Sequence, residues 1–217
     1  MDPSITRSNQ KPCIFGFSGA AYQGLDVDSC SDDAVTYMQQ HLRILDPLYG
    51  VLRPLDVMQP YRLEMASKNV FPDASKIKMA EFWKPSISKF LATDLSRREN
   101  KIILNLASDE YSSAINTTDF PDGTRYIKVV FREDGRTIAV HAKRARGLMV
   151  RYLAEHSVEA IEEVKTFRDE GYSFVESKSD ETTLVFDRRK QTCTNKTKMA
   201  PESKTPTIPT QKRSRRR

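Results

Sequence analysis

The chain has 217 residues, 38% of them apolar, and carries 35 Lys and Arg against 29 Asp and Glu, a formal net charge of +6. That length suits one domain of ordinary size. No apolar run reaches the roughly 18 residues a membrane-crossing helix needs, and the opening MDPSITRSNQKPC lacks the apolar stretch of a secretory signal.

The charge is unevenly placed. Residues 188–217 hold eleven Lys and Arg and one acid, Glu202; the rest of the chain has 24 basic and 28 acidic side chains. Any anion-binding surface on the body must therefore be a local patch and not a global field. Cys13, Cys30 and Cys193 are odd in number, far apart and without a CxxC pair. This argues against a disulfide framework or a zinc site and for a reducing, cytoplasmic setting. A single reactive thiol is the lesser alternative.

Three segments are expected: a polar leader over 1–12, a folded domain over 13–190, and a disordered basic tail over 191–217, rich in Thr, Ser and Pro. The cluster Lys212, Arg213, Arg215, Arg216, Arg217 reads as a polyanion attractor, a nuclear address, or a solvated tail without a role.

In chain order, Cys13–Phe17 reads as a short strand ending in a turn at Ser18-Gly19. Ser31, Asp32 and Asp33 cap a helix running to about Asp46, with Val35, Met38, Leu42 and Leu45 as its buried stripe. Three prolines and a glycine make 47–65 a structured loop with short turns. A helix follows over about 78–96, with Phe82, Ile87, Phe90 and Leu91 apolar; Pro85 bends it or delays its start. Residues 101–106 read as a buried strand, and 125–131 as another. Asp134-Gly135 is a hairpin signal leading to a strand over 137–141. Residues 143–156 and 158–167 are helical by period. The stretches 172–176 and 183–186 form a final hairpin. The alternation implies a single α/β domain of mixed α+β character, with a central mixed sheet flanked by helices.

Three places could carry chemistry. The segment AKRARGLMVRYL sets Lys143, Arg144 and Arg146 in what reads as a helix's first turn, where the dipole disfavours cations. A bound phosphate would offset that. Lys143 and Arg146 share a face, as do Arg144 and Arg151. Gly147 hints at close backbone approach. The competing reading is a solvated face. The second place is the loop with Arg43, Arg53 and Arg62 beside Tyr49, Tyr61 and Leu52. It suits base stacking and phosphate contact, or an arginine–carboxylate network with Asp46, Asp56 and Glu64. The third is the strand end NLASDEY, where open α/β sheets present ligands. Asp109, Glu110 and Tyr111 could act as acid and base, or Ser108 and Asp109 could simply cap the next helix. No GxGxxG, P-loop, GxSxG or HExxH is present. His41, His141 and His156 show no metal-ligand spacing. His141, at the end of a strand, reads as packed.

The blocks GFSGAAYQGLDV, QQHLRILDPLYGVLRPLDVMQPYRLEM, NLASDEY, AKRARGLMVRYL and EGYSFVESKSDETTLVF resemble, in order, the signature segments of the YaaA peroxide-stress family. The resemblance covers about 13–189. It implies a mixed α/β fold with a positively charged cleft. It also implies binding of double-stranded DNA, with preference for bulged or otherwise irregular duplexes, and protection against hydrogen peroxide by limiting free iron and the DNA damage it drives. Carried onto this chain, the phosphate-contact candidates are Arg53, Arg62, Lys143, Arg144, Arg146 and Arg151. No cofactor, metal or membrane partner is implied. Family members usually begin several dozen residues earlier, with a strand, helices and an attributed helix-hairpin-helix, so a member lacking its N-terminal part is expected. The alternative function is an enzyme acting on a nucleotide or small anion, with Asp109, Glu110 and Tyr111 beside Arg53 and Lys143. A third reading leaves polyanion binding to the tail alone.

Overall fold

The computed structural model describes residues 9–71 and 76–190. The expected basic tail, Cys193 and most of the polar leader lie outside the described residues. Strand β1 (Lys11–Pro12) runs straight into a 3-10 turn over Cys13–Phe15, so the strand expected over Cys13–Phe17 does not form. The turn is held from outside: the N–H groups of Cys13 and Ile14 donate to the carbonyls of Asp56 and Pro54.

Helix α1 (Ala20–Leu25) ends on Asp26, which takes the left-handed conformation with φ of 48°. Helix α2 (Asp32–His41) starts where expected, with the Ser31 side chain accepting the Ala34 N–H at 3.1 Å. It stops one turn early. Leu42 is already extended, and Leu45 lies in strand β2 (Ile44–Asp46), not on a helical stripe. Ala34 and Met38 are the helix's buried residues. Strand β2 pairs antiparallel with β3 (Gly50–Leu52), and β4 (Val57–Met58) pairs with β1. The proline-rich loop is therefore pinned by two small ribbons.

Helix α3 (Met79–Ser96) continues through Pro85. It buries Ile87, Leu91 and Leu95, whereas Phe82 is 43% exposed and does not belong to the buried stripe; Phe90 is also exposed. Strand β5 (Ile102–Asn105) forms one edge of a four-stranded sheet and is half-buried, not buried. The short helix α4 (Asp109–Ser112) leads to the long strand β6 (Arg125–Glu133). Asp134 and Gly135 both take positive φ in a tight turn, as their types allow. The turn closes only one bridge, Glu133 to Arg136; helix α5 (Ala139–Glu155) then begins inside the segment expected as a strand. His141 is thus on a helix. The helix expected over 158–167 is one turn, α6 (Ile161–Val164). Strands β7 (Ser173–Phe174) and β8 (Thr183–Arg188) make the expected hairpin.

The sheet order is β5-β6-β8-β7, with β5, β6 and β8 parallel and β7 antiparallel. It is the mixed sheet that the alternation of periods implied. One face of β6 and β8 supplies Ile127, Val129, Phe131, Leu184 and Phe186 to the main core, closed by Ala142, Ala145 and Met149 of α5. Burial of that face is the principal stabilising term of this half. A second core lies between α3 and the segment around Ala114.

Candidate nucleic-acid interface

The two recognisable segments SGAAYQG and AKRARG form the halves of one joint. Helices α1 and α5 cross so closely that a Cβ built on Gly147 would lie 1.7 Å from the Ala21 carbonyl oxygen. One built on Gly24 would lie 2.2 Å from the Arg144 carbonyl oxygen. Only glycine fits at either position, which is the close approach that Gly147 hinted at.

This joint decides what the cations of α5 do. Arg144 donates from Nε to Glu170 at 2.7 Å, and reaches the Gln23 carbonyl at 3.5 Å. Arg151 donates to the Asp26 carbonyl and carboxylate at 3.3 and 3.2 Å, and to Ser29 Oγ and O at 2.7 and 3.2 Å. The two arginines share a face, as their spacing requires. That face holds the C-terminal end of α1, whose orphan carbonyls need donors. Lys143 and Arg146, on the alternate face, make no ion pair among the described residues. The Arg146 Nε is shielded from solvent and has no hydrogen-bond partner. Burial pulls its pKa down, while the nearby Asp109 charge works the other way. None of these cations sits in the first turn, because α5 starts at Ala139. The dipole conflict inferred for them is therefore weak.

Arg53 and Arg62 are exposed and make no ion pair among the described residues. The arginine–carboxylate network expected around them is not formed. Arg43 pairs with Asp94 at 2.9 Å, Asp56 accepts the Arg53 backbone N–H at 2.7 Å, and Asp46 is a hub for other donors. Asp46 is 1% exposed and accepts the N–H groups of Leu48 and Tyr49 at 2.8 and 2.7 Å, together with the Tyr61 hydroxyl. This closes the β2–β3 turn and fixes Tyr61, the neighbour of Arg62. Tyr49 packs edge-on to Tyr61 at 5.9 Å, and Phe17 stacks on Tyr22 at 4.8 Å. Burial raises the pKa of Tyr22, Tyr61 and Tyr111, and the Asp46 carboxylate adds to each shift.

The acidic strand end does not converge on one point. Ser108 is the N-cap of α4 but makes no capping hydrogen bond through its side chain. The Asp109 carboxylate accepts from Lys128 Nζ at 2.5 Å. Glu110 accepts the Ala66 backbone N–H at 3.0 Å, and Tyr111 packs into the second core. Asn105 accepts the Ala107 N–H at 2.9 Å, shaping the turn out of β5. Sequence reasoning missed Lys128. Its only signal is alternation along β6, which sets it opposite Ile127 and Val129; the register Asn105 to Lys128 then brings it to the end of β5.

Cys13 is fully buried, its thiol donates to the carbonyls of Arg53 and Pro54, and burial pushes its pKa up to about 12. His41 stacks on Tyr37, and His141 Nδ1 lies 3.1 Å from Glu133. His156 Nδ1 lies 2.9 Å from the Tyr152 carbonyl. Among the described residues, no three His, Cys, Asp or Glu side chains gather as a metal site would require. No described helix is long and apolar enough to cross a membrane.

A family model described as "Peroxide stress protein YaaA" matches residues 2–178. A UPF0246 protein of Neisseria gonorrhoeae is 40% identical over 191 residues, covering 86% of this chain and 72% of the relative. One from Francisella tularensis subsp. novicida is 42% identical over 185 residues, covering 83% and 71%. One from Aliivibrio fischeri is 38% identical over 192 residues, covering 87% and 73%. With most of the chain matched in this way, and with the joined segments among the matched residues, this protein belongs to the YaaA peroxide-stress family.

Proposed function

We propose that this peroxide-stress protein binds DNA, and that binding limits the damage which peroxide and iron inflict on it. Double-stranded and irregular duplexes are the substrates this reading names. The supporting observation is Arg146. A half-buried guanidinium with an unsatisfied Nε costs free energy unless a ligand completes it. An anionic oxygen is the natural partner for it. Lys143 lies three residues away on the same face of α5 and is exposed, ready to meet a neighbouring phosphate. Arg53 and Arg62 add two exposed cations from the proline-rich loop. Arg144 and Arg151 serve this site indirectly, by seating α1 against α5.

Phosphate contact then dominates affinity, with weak sequence preference. The test is a titration of the full chain with a short DNA duplex at several salt concentrations. Arg146→Ala should weaken binding and lower the salt slope by about one. An unchanged slope would remove Arg146 from the interface, and the reading with it.

A further inference from the structure

The ion pair between Lys128 and Asp109 has an unusual setting. Lys128 rises from the middle of β6, on the face away from the main core, and its side chain is 41% exposed. Asp109 opens α4 just beyond the end of β5, and its side chain is 82% exposed. The carboxylate lies 2.5 Å from Nζ of Lys128 and is also the charge that Arg146 feels. Lys128 pairs with this carboxylate directly, and Arg146, whose buried Nε has no hydrogen-bond partner, lies within range of its charge. That carboxylate makes no other side-chain hydrogen bond among the described residues. It holds neither helix nor turn, since α4 has no side-chain cap.

A carboxylate in this position has the charge and the acceptor oxygens that a phosphate would bring. It is carried on a four-residue helix at the surface. We infer that Lys128 and Arg146 form one anion subsite, and that Asp109 is its built-in stand-in anion, displaced when a ligand phosphate binds. The inference rests on the nucleic-acid reading for its natural ligand, but the subsite itself asks only for an anionic oxygen. Asp109 then acts as a threshold. It keeps the desolvated Arg146 electrostatically tolerable in the free protein, and it competes with weakly held anions. A ligand offering several phosphates at once overcomes it.

The sign of the effect separates this from the alternatives. Were Asp109 an acid, a base or a positioning residue for a substrate, its removal would reduce binding or turnover. As a stand-in anion, its removal strengthens anion binding. At contact distance in water, one unit charge is worth roughly a fivefold change in affinity.

The experiment uses the full chain as wild type, Asp109→Asn, Lys128→Gln and the double variant. Each is titrated with inorganic phosphate and, separately, with a short DNA duplex at fixed salt; thermal melts confirm that all four are folded. Asp109→Asn should bind both probes roughly fivefold more tightly. Lys128→Gln should bind more weakly and lose about one unit of salt slope on duplex. The double variant should bind phosphate more tightly than Lys128→Gln but less tightly than Asp109→Asn, because Arg146 still gains from the loss of the carboxylate; a double variant no tighter than Lys128→Gln would remove Arg146 from the subsite. Weaker or unchanged phosphate binding by Asp109→Asn overturns the inference. Tighter phosphate binding with no duplex binding by any variant upholds the subsite and removes the DNA reading. Should a melt show that Lys128→Gln does not fold, the Asp109→Asn arm alone decides, since an exposed carboxylate tolerates the isosteric amide.

Discussion

Gly147 lies against the carbonyl oxygen of Ala21, so close that a Cβ at this position would stand 1.7 Å from it. In an exposed helix, replacing glycine by alanine gains about 1 kcal/mol. Here α1 must move to admit a methyl group, and its Gly24 and Leu25 are already buried. Gly147→Ala should therefore destabilise the protein by about 2–3 kcal/mol, the usual cost of overpacking. Urea denaturation checks the sign; a stabilised variant would show that the joint is loose.

Arg144 and Arg151 are clamps on α1, whereas Lys143 and Arg146, on the other face of α5, make no ion pair among the described residues. The two pairs should separate in two measurements. Arg151→Ala should lower Tm by several degrees and leave the salt slope of DNA binding unchanged. Lys143→Ala should leave Tm nearly unchanged and reduce that slope by about one. Equal slopes for all four single alanine variants would erase the distinction.

Asp46 is buried with three acceptor bonds and no ion pair among the described residues. Asp46→Ala leaves the N–H groups of Leu48 and Tyr49 without partners and frees Tyr61, so it should cost about 3 kcal/mol. Tyr61→Phe removes one bond and should cost about 1 kcal/mol. Chemical denaturation measures both, and a near-neutral Asp46→Ala would mean that the β2–β3 turn closes without it.

The Glu163 carboxylate accepts the N–H groups of Ala160 and Glu159, each at 3.0 Å, and these bonds hold its pKa below the ordinary value. A depressed carboxylate pKa stabilises the fold above the unfolded-state pKa. That contribution fades as pH falls below about 4.3 and through the folded value. Asp26, held low by the Ser29 hydroxyl and then by Arg151, follows the same sign. Glu163→Gln should therefore be less stable than wild type at pH 7, and the gap should close as pH is lowered below about 4. A gap independent of pH would refute the assignment.

Cys13 has its thiol held by two carbonyls, with its pKa pushed up to about 12. At pH 8 the thiol therefore stays protonated, and a buried, protonated thiol is a poor nucleophile. Peptide mapping after alkylation should find Cys13 unmodified in the native protein and modified after unfolding. Labelling of the native protein at Cys13 would reopen a direct thiol reaction with peroxide.

Sequence alone determined the features that depend on neighbours along the chain. Ser31 capping α2, Asp134-Gly135 turning, the strand at β6 and the hairpin of β7 and β8 are all local choices of backbone and side chain. Order of segments likewise carried the family. Elements whose state depends on distant partners were misread. Leu45 belongs to a strand because Val51 lies across from it. Residues 13–15 curl because the 54–56 loop accepts their N–H groups. Residues 139–141 are helical because that end of α5 leaves the tight turn directly. The site divides the same way. Spacing along α5 set Arg144 with Arg151 and Lys143 with Arg146, since helical period fixes which residues share a face. Which face meets α1 was decided by Gly24 and Gly147, and the meeting of Lys128 with Asp109 by strand register. Both are contacts between residues far apart in sequence, and no periodicity encodes them.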